Sequence, residues 1–305
     1  MNMLYTNNYM NEEISRTEEY ITKLGEGQNE TFLLDLLLSN GQVEKAPAEF
    51  FIWRTESNVE LDPTMMDGVL EGAGYGEAGE PSKRKKLQNN CQIIKGVASV
   101  SGTAEALDPL GIANHFEKLV DEELLKCKRT LNNAIMVGTI QDEDKDTGKP
   151  RKMNGLLNMI EVVVDCESKA LAHDILESAM ERMWEEGNGG DKLCLVNATA
   201  KKKINAIYTD APEITLNVQA GNNTFGVLAK QIITDFGNIF IILDRNMPKD
   251  QIVLIDPSQI VLEVLRPFEI KEPVMDGDYR KRVVIGEYGL KVRNCHAHAK
   301  ILNFK

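Results

Sequence analysis

Near its C-terminal end the chain reads Cys295-His296-Ala297-His298, a place where residues able to bind a metal crowd together. Two of the four histidines in 305 residues lie in it. Histidines two positions apart share one face of an extended strand, which would turn Cys295 to the other face. Zinc takes four ligands, or three and a water. A pair falls short, so His296 and His298 read as strand-end residues near a surface. His115 and His173 fall on predicted helices and have no recognisable partner. The five cysteines, at 91, 127, 166, 194 and 295, are scattered with no C-x-x-C pair, as packed, reduced thiols from a cytoplasmic folding environment would be. No metal and no cofactor is expected.

Two further stretches invite a chemical reading. Gly74-Tyr-Gly-Glu-Ala-Gly79 matches the G-x-G-x-x-G of dinucleotide sites. Such a site needs a strand before it and a helix after it, so that the helix N-terminus meets the pyrophosphate. Here Pro81 and a basic run follow, and no acidic residue stands about twenty positions on, so the match is fortuitous. The basic run is Lys83, Arg84, Lys85 and Lys86; with Lys95 it gives residues 81–95 a charge of +5 and no acid. Read from composition alone, it is a solvated loop tip. A nucleic-acid patch would need interleaved aromatics and a wider basic surround; the other use of such a knot is docking on an acidic protein surface. No Ser/His/Asp, Cys/His or carboxylate pair carries a recognisable local signature, and acid abundance is not geometry.

The elements that would position these residues form an α+β pattern. Residues 1–43 carry a net −5, and only Phe32–Leu38 is strongly apolar there, so the segment reads as an arm that must lie on something else. Glu49–Glu56 and Cys91–Gly102 read as strands joined by a long polar, glycine-rich excursion. Connections of that length inside a compact domain are usually functional or partner-bound. Asp108 as cap and Pro109 as first residue open a helix, with apolar residues at 110, 113, 116, 120, 124, 127, 131 and 135, ending near Gly138. It would be about 40 Å long. A second helix is expected over 168–186 with Ser168 as cap and Gly187 at its end, and a third over Ala198–Tyr208. Residues after 213 read as strands.

Totals set bounds on function. The 42% hydrophobic content suffices for one large core or two modest ones. No run of eighteen apolar residues is present, so no membrane span is expected, and the first residues lack the pattern of a secretion signal. A net charge of −12 argues against a surface whose main task is gripping nucleic acid.

Five stretches in order resemble the major capsid proteins of tailed bacteriophages with the Hong Kong 97-type fold. They are Val97–Gly111 leading into the long helix, Lys149–Ile160 after it, Asp191–Ile207 as strand then helix, Ile233–Phe268, and Gly277–Ile301. The resemblance covers about residues 30–305. It implies an N-terminal arm (1–43), an extended loop (44–95), a peripheral domain with a spine helix (96–160), an axial domain (161–269) and return strands of the peripheral domain (270–305). Both Arg280–Val292 and His298–Phe304 would then be strands of the peripheral sheet, with Val284, Tyr288, Leu290 and Val292 on one face. It also implies a non-enzymatic subunit whose main partner is itself, in hexamers and pentamers. The icosahedral head would be assembled in the host cytoplasm, belong to the virion, and enclose double-stranded DNA without sequence-specific binding. Some relatives carry a long N-terminal extension as a built-in scaffold; the short arm here implies a separate scaffolding protein, alongside a portal. The basic knot at Lys83, Arg84, Lys85 and Lys86 would contact acid on an adjacent subunit. The alternative is a soluble α+β enzyme with its site in 161–269, for which the residues offer no nucleophile or base.

Overall fold

The structure is a computed structural model and describes residues 31–56, 71, 84–106, 115–209, 231–274 and 277–305. Helix α1 (Phe32–Ser39) leads into strand β1 (Val43–Lys45) and the strands β2 (Phe50–Glu56) and β3 (Arg84–Asn90). Strand β4 (Gln92–Ser101) and the short helix α2 (Gly102–Ala106) precede the long helix α3 (His115–Val137). Then come α4 (Leu156–Met159), β5 (Val162–Asp165), α5 (His173–Glu185), β6 (Lys192–Val196) and α6 (Ala198–Thr209). The remaining strands are β7 (Gln231–Thr234), β8 (Gly237–Leu243), β9 (Gln251–Ile255), β10 (Ile260–Lys271), β11 (Tyr279–Val292) and β12 (Ala299–Leu302).

Two sheets and a hairpin organise these elements. A four-stranded sheet has the order β1-β10-β11-β4, a six-stranded sheet the order β5-β12-β9-β6-β8-β7, and β2 and β3 form a two-stranded sheet. The long helix lies along the four-stranded sheet because its inward positions recur every three or four residues: Phe116, Val120, Cys127, Leu131 and Ile135 are buried, with Leu124 half-buried. At 1.5 Å per residue α3 is about 34 Å long. Its expected cap, Asp108 with Pro109, lies outside the described residues. Gly96 on β4 lets the helix come close, since a Cβ there would sit 2.9 Å from Cys127 Sγ. At the helix end, Gly155 N donates to Gly138 O at 2.8 Å, an approach that a side chain on either glycine would block.

One core joins both sheets. It holds α1, α3, the inner face of the hairpin and the four-stranded sheet, and extends to Leu195, Val253 and Ile255 on one face of the six-stranded sheet. The alternate residues Cys194, Val196, Ile252 and Leu254 point to the other face, where Leu176, Ala179, Met180 and Met183 of α5 and Ala200 and Ile204 of α6 cover them. The apolar run of the arm joins the first core: Leu33, Leu34 and Leu37 are buried, and Leu34 N donates to the buried Asn132 Oδ1 of α3 at 3.0 Å. The 43/44 boundary falls at β1, which pairs in parallel with β10.

Several expectations change. Strand β12 pairs with β5 and β9 in the six-stranded sheet, whereas β11 lies in the four-stranded one, so the two do not share the single sheet expected of them. Its Ala299 and Ile301 complete the core beneath α5, and a local strand pattern carries no information about which sheet it joins. Strand β10, Ile260–Lys271, lies in the four-stranded sheet between β1 and β11. The second helix begins at His173, not near Ser168: Glu167 and Ser168 sit in left-handed turn conformations, and Ala172 occupies the cap position without a side-chain bond. Gly187, at φ +78°, follows the helix end as expected of a terminating glycine. The charged stretch after α3 is itself folded back, with bridges Gln141↔Lys152 and Asp144↔Lys149.

Candidate functional site

The hairpin is the element whose chemistry is least explained by its own subunit. Strand β2 alternates between buried and exposed residues. Phe51 and Trp53 stack at 5.7 Å between ring centroids, are buried against β11, and Trp53 Nε1 donates to Val292 O at 2.8 Å. Gly289 of β11 makes room, since a Cβ there would lie 2.6 Å from the Phe51 ring. The register pairs Phe50↔Asn90, Ile52↔Gln88, Arg54↔Lys86 and Glu56↔Arg84 on the opposite face. There Phe50 is 53% and Ile52 44% exposed.

The basic knot therefore does not sit on a loop tip. Arg84, Lys85 and Lys86 open β3, and Lys83 lies outside the described residues. Alternation divides the three. Lys85 lies on the Phe51 and Trp53 side of the register, stays exposed and pairs with Glu161, whose hydrogen bond holds the lysine above its usual pKa. Arg84 reaches Glu56 at 3.6 Å, and Lys86 stays exposed opposite Arg54. The glycine-rich match at 74–79 also lies outside the described residues.

Beneath the hairpin a charged network ties the strands together. Arg151 donates through Nε to Cys91 O at 2.6 Å and through its guanidinium to Glu287, which is 4% exposed and also accepts from Arg266 Nε at 3.0 Å. Arg151 Nη1 is 3.2 Å from Glu49 and 3.7 Å from Glu143. A shallow cleft of about 240 Å³ opens here, walled by Glu49, Phe50, Asp142 and Glu143 with Arg151 behind them.

The histidines of the tail separate instead of converging. Cys295–Ala297 form a 3-10 turn, so the strand geometry assumed for them does not hold. His296 stays partly exposed, with Nε2 3.1 Å from Glu161 and Nδ1 3.8 Å from Glu186. His298 is fully buried, and its Nδ1 accepts from Asp256 N at 3.1 Å. Burial pulls its pKa down to about 3, so the ring is neutral. Nearby, the buried Lys192 binds Gly189 O at 3.2 Å and Asp256 Oδ2 at 3.3 Å. His173 lies 3.9 Å from Glu177 one turn along α5, and His115 is the first residue of α3.

All five cysteines are buried and free. Burial pushes Cys91 and Cys194 up to about 12 and Cys127 and Cys295 up to about 11, leaving thiols, not nucleophilic thiolates. Among the described residues no group of three or more His, Cys, Asp or Glu is arranged to hold a metal. None of the described helices is long and apolar enough to cross a membrane. What the geometry offers is surface: an apolar and charged hairpin face, supported by a saturated ion-pair network. The sequence carried its signal in the alternation of Phe50–Glu56, but not the partners Glu161, Arg151 and Glu287.

The frame is shared with solved structures at low identity. A structure described as Mycobacterium phage Patience superposes with a TM-score of 0.62 at 15% identity, over 95% of this chain and 86% of that one. The capsid of a native GTA particle gives 0.59 at 9% identity, over 99% and 95%. The holo-SrpI encapsulin complex from Synechococcus elongatus gives 0.56 at 12% identity, over 88% of both chains. Among curated proteins none matches the chain. The family model of the SU10 major capsid protein matches residues 6–305. With residues 6–305 matched by its model, the chain belongs to the SU10 major capsid protein family.

Proposed function

We propose that copies of this chain assemble as hexamers and pentamers into the icosahedral head of a tailed bacteriophage or prophage. The observation that carries this reading is the family match across residues 6–305. A structural family sets aside the alternative of an enzyme with a site in 161–269. In the finer reading, α3 is the spine helix of a peripheral domain built on the four-stranded sheet, and the six-stranded sheet with α5 and α6 is the axial domain. The head would enclose double-stranded DNA without reading its sequence, within the virion, after assembly in the host cytoplasm with a separate scaffolding protein and a portal. The charge balance supports this: a net −12 spares the inner wall from trapping packaged DNA.

The same reading gives Lys83, Arg84, Lys85 and Lys86 a role as an intersubunit contact to acid on a neighbour. Lys85 pairs with Glu161 and Arg84 with Glu56 in the same subunit, so Lys86 is the better candidate for the contact. Electron microscopy of the purified chain, co-expressed with its scaffolding protein, tests the proposal: closed shells are expected. A chain that stays a soluble monomer under those conditions would overturn it. Changing Lys83, Arg84, Lys85 and Lys86 together to Gln should weaken assembly, and raised salt should weaken wild-type assembly likewise, since exposed charges are screened beyond about 8 Å at 0.15 M. A quadruple variant that assembles normally and fails only at DNA filling would reassign the knot to nucleic acid.

A further inference from the structure

We infer that β1 is a proton-coupled strap: its docking on β10 takes up one proton on Glu263, so the connection between α1 and the hairpin tightens in weakly acidic solution and loosens as pH rises. The device lies within one subunit and does not depend on the shell reading above. Strand β1 is three residues long and stands at the edge of the four-stranded sheet, paired in parallel with β10. Around it Leu262 N donates to Gln42 O at 2.9 Å, Ala46 N to Val264 O at 3.1 Å, and Gln42 Nε2 to Pro257 O at 2.7 Å. Its charged hold is Glu44, which accepts from Lys291 Nζ at 2.8 Å and from Arg293 Nη2 at 2.7 Å.

The group that titrates lies beside the strap. Glu263 of β10 is in register with Glu44 and is 3% exposed. Its Oε1 is 3.5 Å from Lys291 Nζ, which sits closer to Glu44, and its Oε2 is buried without a hydrogen-bond partner. On the β11 side Glu263 is opposite Gly289, against which the Phe51 ring lies. The charged groups facing it are Glu44, Lys291 and, through Glu44, Arg293. The Cys91 thiol, the other titratable group nearby, is pushed up to about 12 and stays uncharged.

Two glutamates opposite each other on neighbouring strands repel when both are ionised. An ionised oxygen left without a donor in a buried site is disfavoured as well. A proton on Glu263 removes both penalties and supplies a donor for the Glu44 carboxylate. Burial, helped by Glu44, accordingly outweighs Lys291 and holds Glu263 above the usual carboxylate range, while hydrogen bonds from Lys291 and Arg293 hold Glu44 below it. With β1 lifted away, Glu263 meets water and returns toward about 4.3. Above about that pH the docked strap binds more protons than the lifted one, and docking weakens until Glu263 ionises in the docked state too. Below it the sign reverses, because Glu44 must be ionised to hold Lys291 and Arg293. Docking is therefore tightest where Glu44 is charged and Glu263 is not.

Hydrogen exchange of the full-length subunit tests this, read on the amides of residues 42–46 and normalised to the intrinsic exchange rate at each pH. From about pH 5 to about pH 7 their protection should fall by up to about tenfold per pH unit, the effect of one proton. The amides of α3 should change less over the same range. Glu263→Gln keeps the shape of the protonated carboxyl and should make strap protection independent of pH there. Glu44→Gln, which loses both ion pairs, should lower strap protection at about pH 5, where Glu44 is ionised. Wild-type protection that stays flat across the range would overturn the coupling, and that measurement decides even where a variant fails to fold. An unchanged pH dependence in Glu263→Gln would overturn it too, since the proton would then belong to another group.

Discussion

Gly96→Ala is the sharpest probe of how the long helix meets its sheet. A Cβ at residue 96 would lie 2.9 Å from Cys127 Sγ, 2.9 Å from Glu123 Oε2 and 3.3 Å from Glu123 Cβ. Comfortable contact for such atoms is about 3.5–4.0 Å, so the overlap with sulfur approaches 1 Å. The Glu123 carboxylate is at the end of a flexible side chain and can swing aside. Cys127 is 3% exposed in the middle of a helix packed along the sheet, and cannot. Overpacking of this kind costs about 1–3 kcal/mol. Cys127→Ala alone removes one buried heavy atom, worth about 1 kcal/mol. In the double variant the missing sulfur opens the space the new methyl needs. The two costs should therefore fail to add, with a coupling of about 1 kcal/mol or more in favour of the pair. Denaturant unfolding of the dissociated subunit measures all four corners of the cycle. On heating, each kcal/mol should appear as a shift of about 2–4 °C. Costs that add to within about 0.3 kcal/mol would refute the close approach of α3 to β4, because distant sites are additive on that scale.

Two further predictions follow from buried charge. The His298 ring is held neutral well below the ordinary histidine pKa, near 3, so the unfolded chain binds a proton that the folded chain refuses. Subunit stability contributed here is present above about pH 6.5 and is lost as pH falls toward 3, at up to about 1.4 kcal/mol per pH unit. His298→Asn, which keeps an acceptor for Asp256 N, should flatten that part of the pH–stability curve; an unchanged slope would show that another group titrates. Arg151→Met leaves the buried Glu287 carboxylate with Arg266 as its remaining partner and should cost about 1–3 kcal/mol in unfolding experiments. Arg54→Met, on the exposed face, should leave free-subunit stability within about 0.5 kcal/mol.

What the sequence determined by itself is what is local. Leu131, Ile135 and their neighbours at steps of three and four specify α3, because a helix repeats every 3.6 residues whatever it packs on. Phe50–Glu56 specifies a two-faced strand for the same kind of reason, since only alternation lets Phe51 and Trp53 turn in together. The family resemblance, too, was legible in ordered stretches of chain. What tertiary structure decided is which distant segments meet. Strand β12 carries no mark of the sheet it joins; that depends on Ala299 and Ile301 filling space under α5. Lys83, Arg84, Lys85 and Lys86 read as one basic knot, yet pairing with β2 set Lys85 on the face that reaches Glu161 and Lys86 on the other, opposite Arg54. His296 and His298 read as equals on one strand face; a single 3-10 turn left one in contact with carboxylates and buried the other as a neutral ring. Charge and hydropathy are properties of residues, whereas burial and partnership are properties of packing across the chain.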